Sequence, residues 1–282
     1  MITINKIISQ IDRLKPVPQV LIQLMELIDD KDASITEVAD LIIYEPVITA
    51  NLLKTVNSAH FGLPRKIDSV HEAVILLGLN QIVDIILMQA MTNNFKRAQD
   101  GYGLKEGELW KQSVSSALIA KLIAMHLKTD NKHTIFTAAL IKDIGKIILN
   151  QEVADSLEKI KTIVEKNELS FQEAEKQVIG MDHATIGALV AEKWNFSKQM
   201  IFMIKNHHIS DKTAIDHPGT GMIYLADIIC VMLGIHSEAD KLSYQFYEDV
   251  IKRLNLTESG LNKIMTDFTS RKDDIFGLLA VI

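Results

Sequence analysis

The stretch Val114-Ser-Ser-Ala-Leu-Ile-Ala-Lys-Leu-Ile-Ala-Met125 decides the fold class. Val114, Ala117, Leu118, Lys121, Leu122 and Met125 recur in steps of three and four residues, and only Lys121 among them is polar. Such spacing gathers side chains on one face of an α-helix, whose repeat is about 3.6 residues. Leu189, Val190 and Trp194 repeat the pattern downstream. Proline placement permits long helices there, because Pro16, Pro18, Pro46 and Pro64 all lie early and the next is Pro218. A proline inside a helix removes a donor and clashes with the preceding turn. Sustained apolar/polar alternation bounded by Asn-Gly or Asp-Gly turns is absent, so strands have no support. The sequence predicts an all-α chain.

Working outward, Ser34-Ile-Thr-Glu37, Ser69-Val-His-Glu72 and Ser170-Phe-Gln-Glu173 have the form of capping boxes. In these a hydroxyl accepts from a free amide while the glutamate reaches back to the cap. Pro46 is expected to open a helix running through Asn57, and His60 to Ile67 to form a tight connection broken by Gly62 and Pro64. The most membrane-like stretch, Ala73 to Met91, contains Gly78, Asn80, Gln81 and Asp84. An aspartate at mid-span costs about 2.5–3.5 kcal/mol on insertion scales, so a buried helix pair is the better reading. Gly101, Gly103 and Gly107 cluster between Gln99 and Glu108. This marks an expected joint between an N-terminal helical subdomain, 1–100, and a larger helical core with C-terminal helices, 101–282.

The 282 residues allow one large domain or two small ones. With 48% apolar and 23% charged residues, a disordered chain is excluded. A net charge of -6 disfavours a broad phosphate-binding face, hence no nucleic acid partner. Cys230 is the single cysteine, so an internal disulfide and a cysteine-based zinc cluster are both excluded. The N-terminus lacks a signal peptide's basic start and long apolar run. The expected location is the cytoplasm, without membrane association.

One constellation carries chemistry: Asp143, His183, the pair His207-His208, and Asp227. Imidazoles and carboxylates spread over several helices are how a helical bundle builds an interior metal site. Taken singly, such residues serve more often as caps or satisfied core polar groups. That plainer role is expected of His60, His71, His126, His133, His217 and His236. Asp216-His-Pro-Gly-Thr-Gly221 lacks the ending of a phosphate loop and reads as a turn before a helix. Glu158-Lys-Ile-Lys161 reads as a solvated helix face, and Cys230 as a small buried hydrophobe. The apolar end Ile275-Phe-Gly-Leu-Leu-Ala-Val-Ile282 is expected to be a docked last helix, with a homodimer surface as the alternative.

Leu140-Ile-Lys-Asp-Ile-Gly-Lys146 resembles the Leu-(Leu/Ile)-His-Asp-Ile-Gly-Lys motif of HD-superfamily phosphohydrolases, with lysine in place of the histidine. Upstream, three segments in order are similar to the HDOD domain of bacterial signalling proteins. They are Leu14-Lys-Pro-Val-Pro-Gln19, Glu45-Pro-Val-Ile-Thr-Ala-Asn-Leu-Leu-Lys-Thr-Val-Asn-Ser-Ala-His-Phe-Gly-Leu-Pro64 and Ile67-Asp-Ser-Val-His-Glu-Ala-Val-Ile-Leu-Leu-Gly-Leu79. The resemblance runs from Leu14 to His208.

It implies an all-α fold in which an N-terminal helical portion packs on an HD-like core. In catalytic relatives a histidine, a His-Asp pair and a later aspartate hold divalent metals, which lower the pKa of bound water and polarise a phosphate. Carried onto this chain, the pair's aspartate is Asp143 and the late aspartate is Asp227. His183, with His207 or His208, matches the additional histidines of the branch that cleaves cyclic dinucleotides. Two positions depart: Trp110-Lys-Gln-Ser113 places Gln112, and the pair places Lys142, where histidines belong. A protonated lysine offers a metal no lone pair. Its ammonium can instead sit among Asp143 and Asp227 in place of the cation. The expectation is a degenerate site without a resident cofactor, in a regulatory protein acting on signalling partners or a small nucleotide. The alternative is a metal-dependent phosphohydrolase or cyclic-nucleotide phosphodiesterase, with Mn, Fe, Mg or Ni on Asp143, His183, His207, His208 and Asp227.

Overall fold

The computed structural model describes residues 4–15, 17–29, 34–167, 169–209, 212–235 and 247–281. His236, Pro16 and the terminal Ile282 lie outside them. Among the described residues the chain is all-α, as expected; its one β-type pairing is an isolated bridge between Gln99 and Leu104. In order the helices are α1 (Ile4–Ile11), α2 (Gln19–Asp29), α3 (Ile35–Ile43), α4 (Pro46–Val56), α5 (Val70–Leu77) and α6 (Leu79–Phe95). There follow α7 (Glu108–His126), α8 (Lys132–Ile141), α9 (Ile144–Asn167), α10 (Phe171–Ile179), α11 (His183–Lys193) and α12 (Lys198–Lys205). The series ends with α13 (Lys212–Asp216), α14 (Pro218–Met232), α15 (Tyr247–Arg253), α16 (Glu258–Thr269) and α17 (Lys272–Val281).

Two compact units emerge. One comprises 1–16 with 94–268, the other 17–93 with 269–282. Beside the expected joint at 100/101, the junction falls at 93/94 near the end of α6, and the two ends of the chain exchange units. The glycine cluster has a local role instead. Gly103 and Gly107 take left-handed φ values of 66° and 81° around the short 3-10 turn Asp100–Tyr102, which packs on α9.

In the smaller unit, α3 packs on α2, α4 and α5 around Leu24, Val38, Ile42 and Val56, all fully buried. Ser34 and Ser170 form complete capping boxes with Glu37 and Glu173; Ser69 accepts from the Glu72 amide. The connection after α4 is pinned by Asn57, whose amide exchanges two 2.7 Å hydrogen bonds with the backbone of Ile67. The membrane-like stretch is a helix pair, α5 and α6, bent by 116° at Gly78. Ile82, Val83, Ile85 and Ile86 are buried, and no single helix among the described residues is long and apolar enough to cross a membrane. α17 meets the turn Ala59–Phe61 of the same unit.

The larger unit is built on α7, which packs against α8 and α14, while α11 packs against α9 and α12. The face α7 buries overlaps the apolar stripe only in part. Val114 and Ala117 of the stripe have no exposure, together with Ser113, Ser116, Ile119, Ala120, Ile123 and Ala124, whereas Leu118, Lys121 and Leu122 are half-buried and Met125 is exposed. The serines and alanines among the buried residues let neighbouring helices approach closely. Cys230 is buried in α14, as expected; within Asp216–Gly221 only His217 lies between α13 and α14, and it caps α14.

Candidate functional site

Lys142 caps the C-terminal end of α8, and α9 begins at Ile144, so Lys142 and Asp143 sit at the break between two core helices. Both side chains turn inward and are buried. The Lys142 ammonium pairs with Asp143 Oδ2 and reaches Asp227 Oδ2 on α14 at 3.1 Å. Lys146, one turn along α9, places Nζ 3.0 Å from the other oxygen, Asp143 Oδ1. Asp227 Oδ1 accepts from the Ser116 hydroxyl of α7 at 2.8 Å. Gln112 lies one turn before Ser116 on the same helix, also buried.

Gly145 brings the second half of the site alongside. A Cβ there would stand 1.9 Å from the carbonyl oxygen of His183, so only glycine lets α9 meet the start of α11 this closely. His183 is the first residue of α11 and has no exposure. Its Nδ1 lies 2.7 Å from Glu175 Oε2, which also accepts from its backbone N–H at 2.8 Å. The Tyr102 hydroxyl donates to the other oxygen of Glu175. The carboxylate keeps a proton on Nδ1 and points Nε2 into the site. There it meets His208 Nε2 at 2.8 Å.

His207 follows α12. Its Nδ1 lies 2.7 Å from the Ile204 carbonyl oxygen, a pure acceptor, so Nδ1 carries the proton and Nε2 holds the lone pair. That buried Nε2 has no hydrogen-bond partner among the described residues; Asp143 Oδ1 lies 3.9 Å away. His207 and His208 thus both contribute to one cluster. One ring nitrogen from each of His183, His207 and His208 lies within 4.8 Å of the others.

The HDOD family model matches residues 14–210. The chain belongs to the HDOD domain family. An HDOD domain protein of unknown function from Geobacter sulfurreducens is 25% identical, with TM-score 0.73, covering 98% of this chain and 95% of that one. A Marinobacter aquaeolei VT8 structure, named as a candidate signal transduction protein, is 18% identical with TM-score 0.74, covering 98% and 65%. A Shewanella amazonensis SB2B structure, named as a candidate phosphohydrolase, is 19% identical with TM-score 0.69, covering 97% and 98%. At these identities the last two likenesses speak to the fold. A curated Treponema pallidum protein, itself uncharacterized, is 23% identical over 205 residues, and the match spans 72% of this chain but only 39% of that protein.

Electrostatics divide this HDOD site in two. Burial opposes the charge on Lys142, but the Asp143 and Asp227 carboxylates outweigh it and raise its pKa, so it stays an ammonium. Burial would raise Asp143 as well, yet Lys142 and Lys146 hold it well below the usual carboxylate range. At His183 the desolvation cost is exceeded by Glu175, and the pKa is raised. At His207 burial, His208 and Lys142 act together to push it well down, leaving a neutral ring. Burial and then Asp227 lift the Cys230 thiol far up, so it offers no nucleophile.

A metal cage spanning Asp143 and Asp227 does not fit these residues. Both carboxylates already hold the Lys142 ammonium, and a second ammonium covers the far oxygen of Asp143. The imidazole side does carry suitable donors, above all His207 Nε2.

The geometry joins Lys142, Asp143, Asp227, His183, His207 and His208, and places Gln112 one helical turn from Ser116. Sequence reasoning passed over Glu175, Lys146, Ser116 and Tyr102. Glu175 left a signal: it falls in the apolar stripe Phe171, Ala174, Ile179 of α10, where a carboxylate needs an interior partner. Tyr102, inside a glycine-rich turn, left none.

Proposed function

We propose that this HDOD chain is a regulatory, signal-transducing protein that acts by binding and not by turnover, in the cytoplasm. One observation carries the reading: the Lys142 ammonium bridges Asp143 and Asp227, the two carboxylates that a metal would need. Ion pairing supports it. Lys142 and Lys146 both hold Asp143, Lys142 also holds Asp227, and Glu175 is engaged by His183. A divalent ion would have to displace these cations in a buried site, where an unpaired charge is most costly. The site then works as a rigid internal tie among α7, α8, α9, α11 and α14, and binding falls to the surface, to a signalling protein or a small nucleotide.

The test uses the full chain purified without chelator, assayed for bound metal and for hydrolysis of a model phosphodiester and cyclic dinucleotides with Mn²⁺ added. No Mn²⁺-dependent turnover is expected. Turnover that disappears in Asp143→Ala would establish the second reading, a metal-dependent phosphohydrolase, which the three convergent imidazoles favour.

A further inference from the structure

Large apolar side chains stand in solvent on the helices α3, α4 and α5. Tyr44 is 83% exposed, Ile75 76%, Val47 72%, Leu76 51% and Ile43 42%. With Ile35 at 49%, they make up six of the nine large hydrophobics exposed among the described residues, so exposure is concentrated in one unit. Isolated exposed apolar residues need no account, but a concentration of them marks a binding surface. Their placement is ordered. Ile43 ends α3, Tyr44 is its C-terminal cap, and Val47 lies in the first turn of α4, with the extended Glu45 between the two helices. His71 of α5 lies 3.8 Å from Asp40, and Ile75 stands one turn beyond His71. α3 packs on both α4 and α5, so these exposed side chains stand on neighbouring elements of one unit, and an apolar face of packed helices suits a further helix.

The charge of this surface selects the occupant. From Ser34 to Leu53 there is no lysine or arginine, while Glu37, Asp40 and Glu45 are all exposed carboxylates. Arg65, in the loop before α5, is paired with Glu72. Lys54, on the last turn of α4, is the nearest cation beyond that interval in sequence. A second copy docked through the same patch would bring this acidic interval against its own acidic copy, as a two-fold contact uses the same surface on both partners. An anionic bilayer would be repelled for the same reason.

We propose that the α3–α5 face docks an amphipathic helix with a basic rim, supplied by a separate protein. Tyr44 is its central anchor, since exposed tyrosines carry much of the energy at such contacts. Asp40 and Glu45 meet the partner's lysines or arginines. This surface is independent of the interior site, and its test does not depend on whether that site holds metal.

The experiment titrates the full chain against a fluorescent helical peptide of about five turns, leucine on one face and lysine on the other. Saturable binding is expected, weakened by salt and weakened about tenfold by Tyr44→Ser or Ile75→Ser. Glu45→Lys should weaken it too, with unchanged thermal unfolding of each variant. Three results would overturn the proposal: equal affinity for the same peptide with glutamate replacing lysine, no loss in either serine variant, or no binding. So would a dimer that Val47→Arg dissolves, which gives the face to a second copy, or binding to anionic vesicles lost in Tyr44→Ser.

Discussion

Lys142 and Asp143 are neighbours in the chain and partners again through their side chains, the ammonium of one held by the carboxylate of the other inside the helical core. The same ammonium reaches Asp227 on a helix 85 residues along, so three core helices depend on one cation: α8, which Lys142 caps, α9 beginning just after Asp143, and α14. A buried charge is tolerable while it is paired and costly once a partner is removed.

Lys142→Met tests that dependence. It strands Asp227 with only the Ser116 hydroxyl and leaves Asp143 to Lys146. The expected loss is about 3–5 kcal/mol in urea unfolding at pH 7. Adding Asp227→Asn to Lys142→Met should recover part of it, because the removed charge no longer needs a counter-ion. Equal instability of the single and double variants would show that the ammonium holds nothing together.

Glu175 fixes His183 by accepting from both its backbone and its ring. A raised imidazole pKa contributes stability that is full below the unfolded value and is lost as pH rises through the folded value. Glu175→Gln removes the carboxylate that raises it. NMR titration should show the His183 midpoint falling, and the stability gap between wild type and variant should be wider at acid than at alkaline pH. A gap that does not change with pH would leave Glu175 as a packing residue only.

Much of this was legible in the sequence, for identifiable reasons. The helices announce themselves through spacing and caps, as Ser34-Ile-Thr-Glu37 and Pro46 do at the starts of α3 and α4. Asp143, His183, His207, His208 and Asp227 stand out because those residue types are rare in a core unless paired or ligating. What stayed hidden depends on distance along the chain. Nothing local ties Tyr102 to Glu175, 73 residues away, or Ser116 to Asp227, 111 away.

Gly145 is predicted to be intolerant of even one methyl group. Its missing Cβ would fall 1.9 Å from the His183 carbonyl oxygen and 2.9 Å from the Gly187 nitrogen, both backbone atoms that cannot swing aside. Gly145→Ala must push α11 away from α9, at a cost of about 3 kcal/mol, the upper part of the range for overpacking. His183 would move with α11, so its NMR signals should shift along with those of His208, its partner at 2.8 Å. Unchanged signals and unchanged unfolding would mean the two helices have room to spare.

His133, on α8 and outside the site, governs a separate acid response. Burial, helped by Lys121 and Lys132, pushes its pKa from 6.5 down to about 3, so the folded ring stays neutral where the unfolded ring has gained a proton. Between those values the unfolded state binds more protons, and stability therefore falls as pH falls. At pH 5 the unfolded ring is almost fully charged, and the cost relative to pH 8 is on the order of 1–2 kcal/mol. His133→Leu lacks this proton-linked loss, although it also gives up the ring's polar contacts. Urea midpoints for the two proteins should therefore converge, or cross, as pH is lowered from 8 to 5, the carboxylates' contribution being common to both. Parallel pH profiles would show that His133 is charged or solvated in the folded chain.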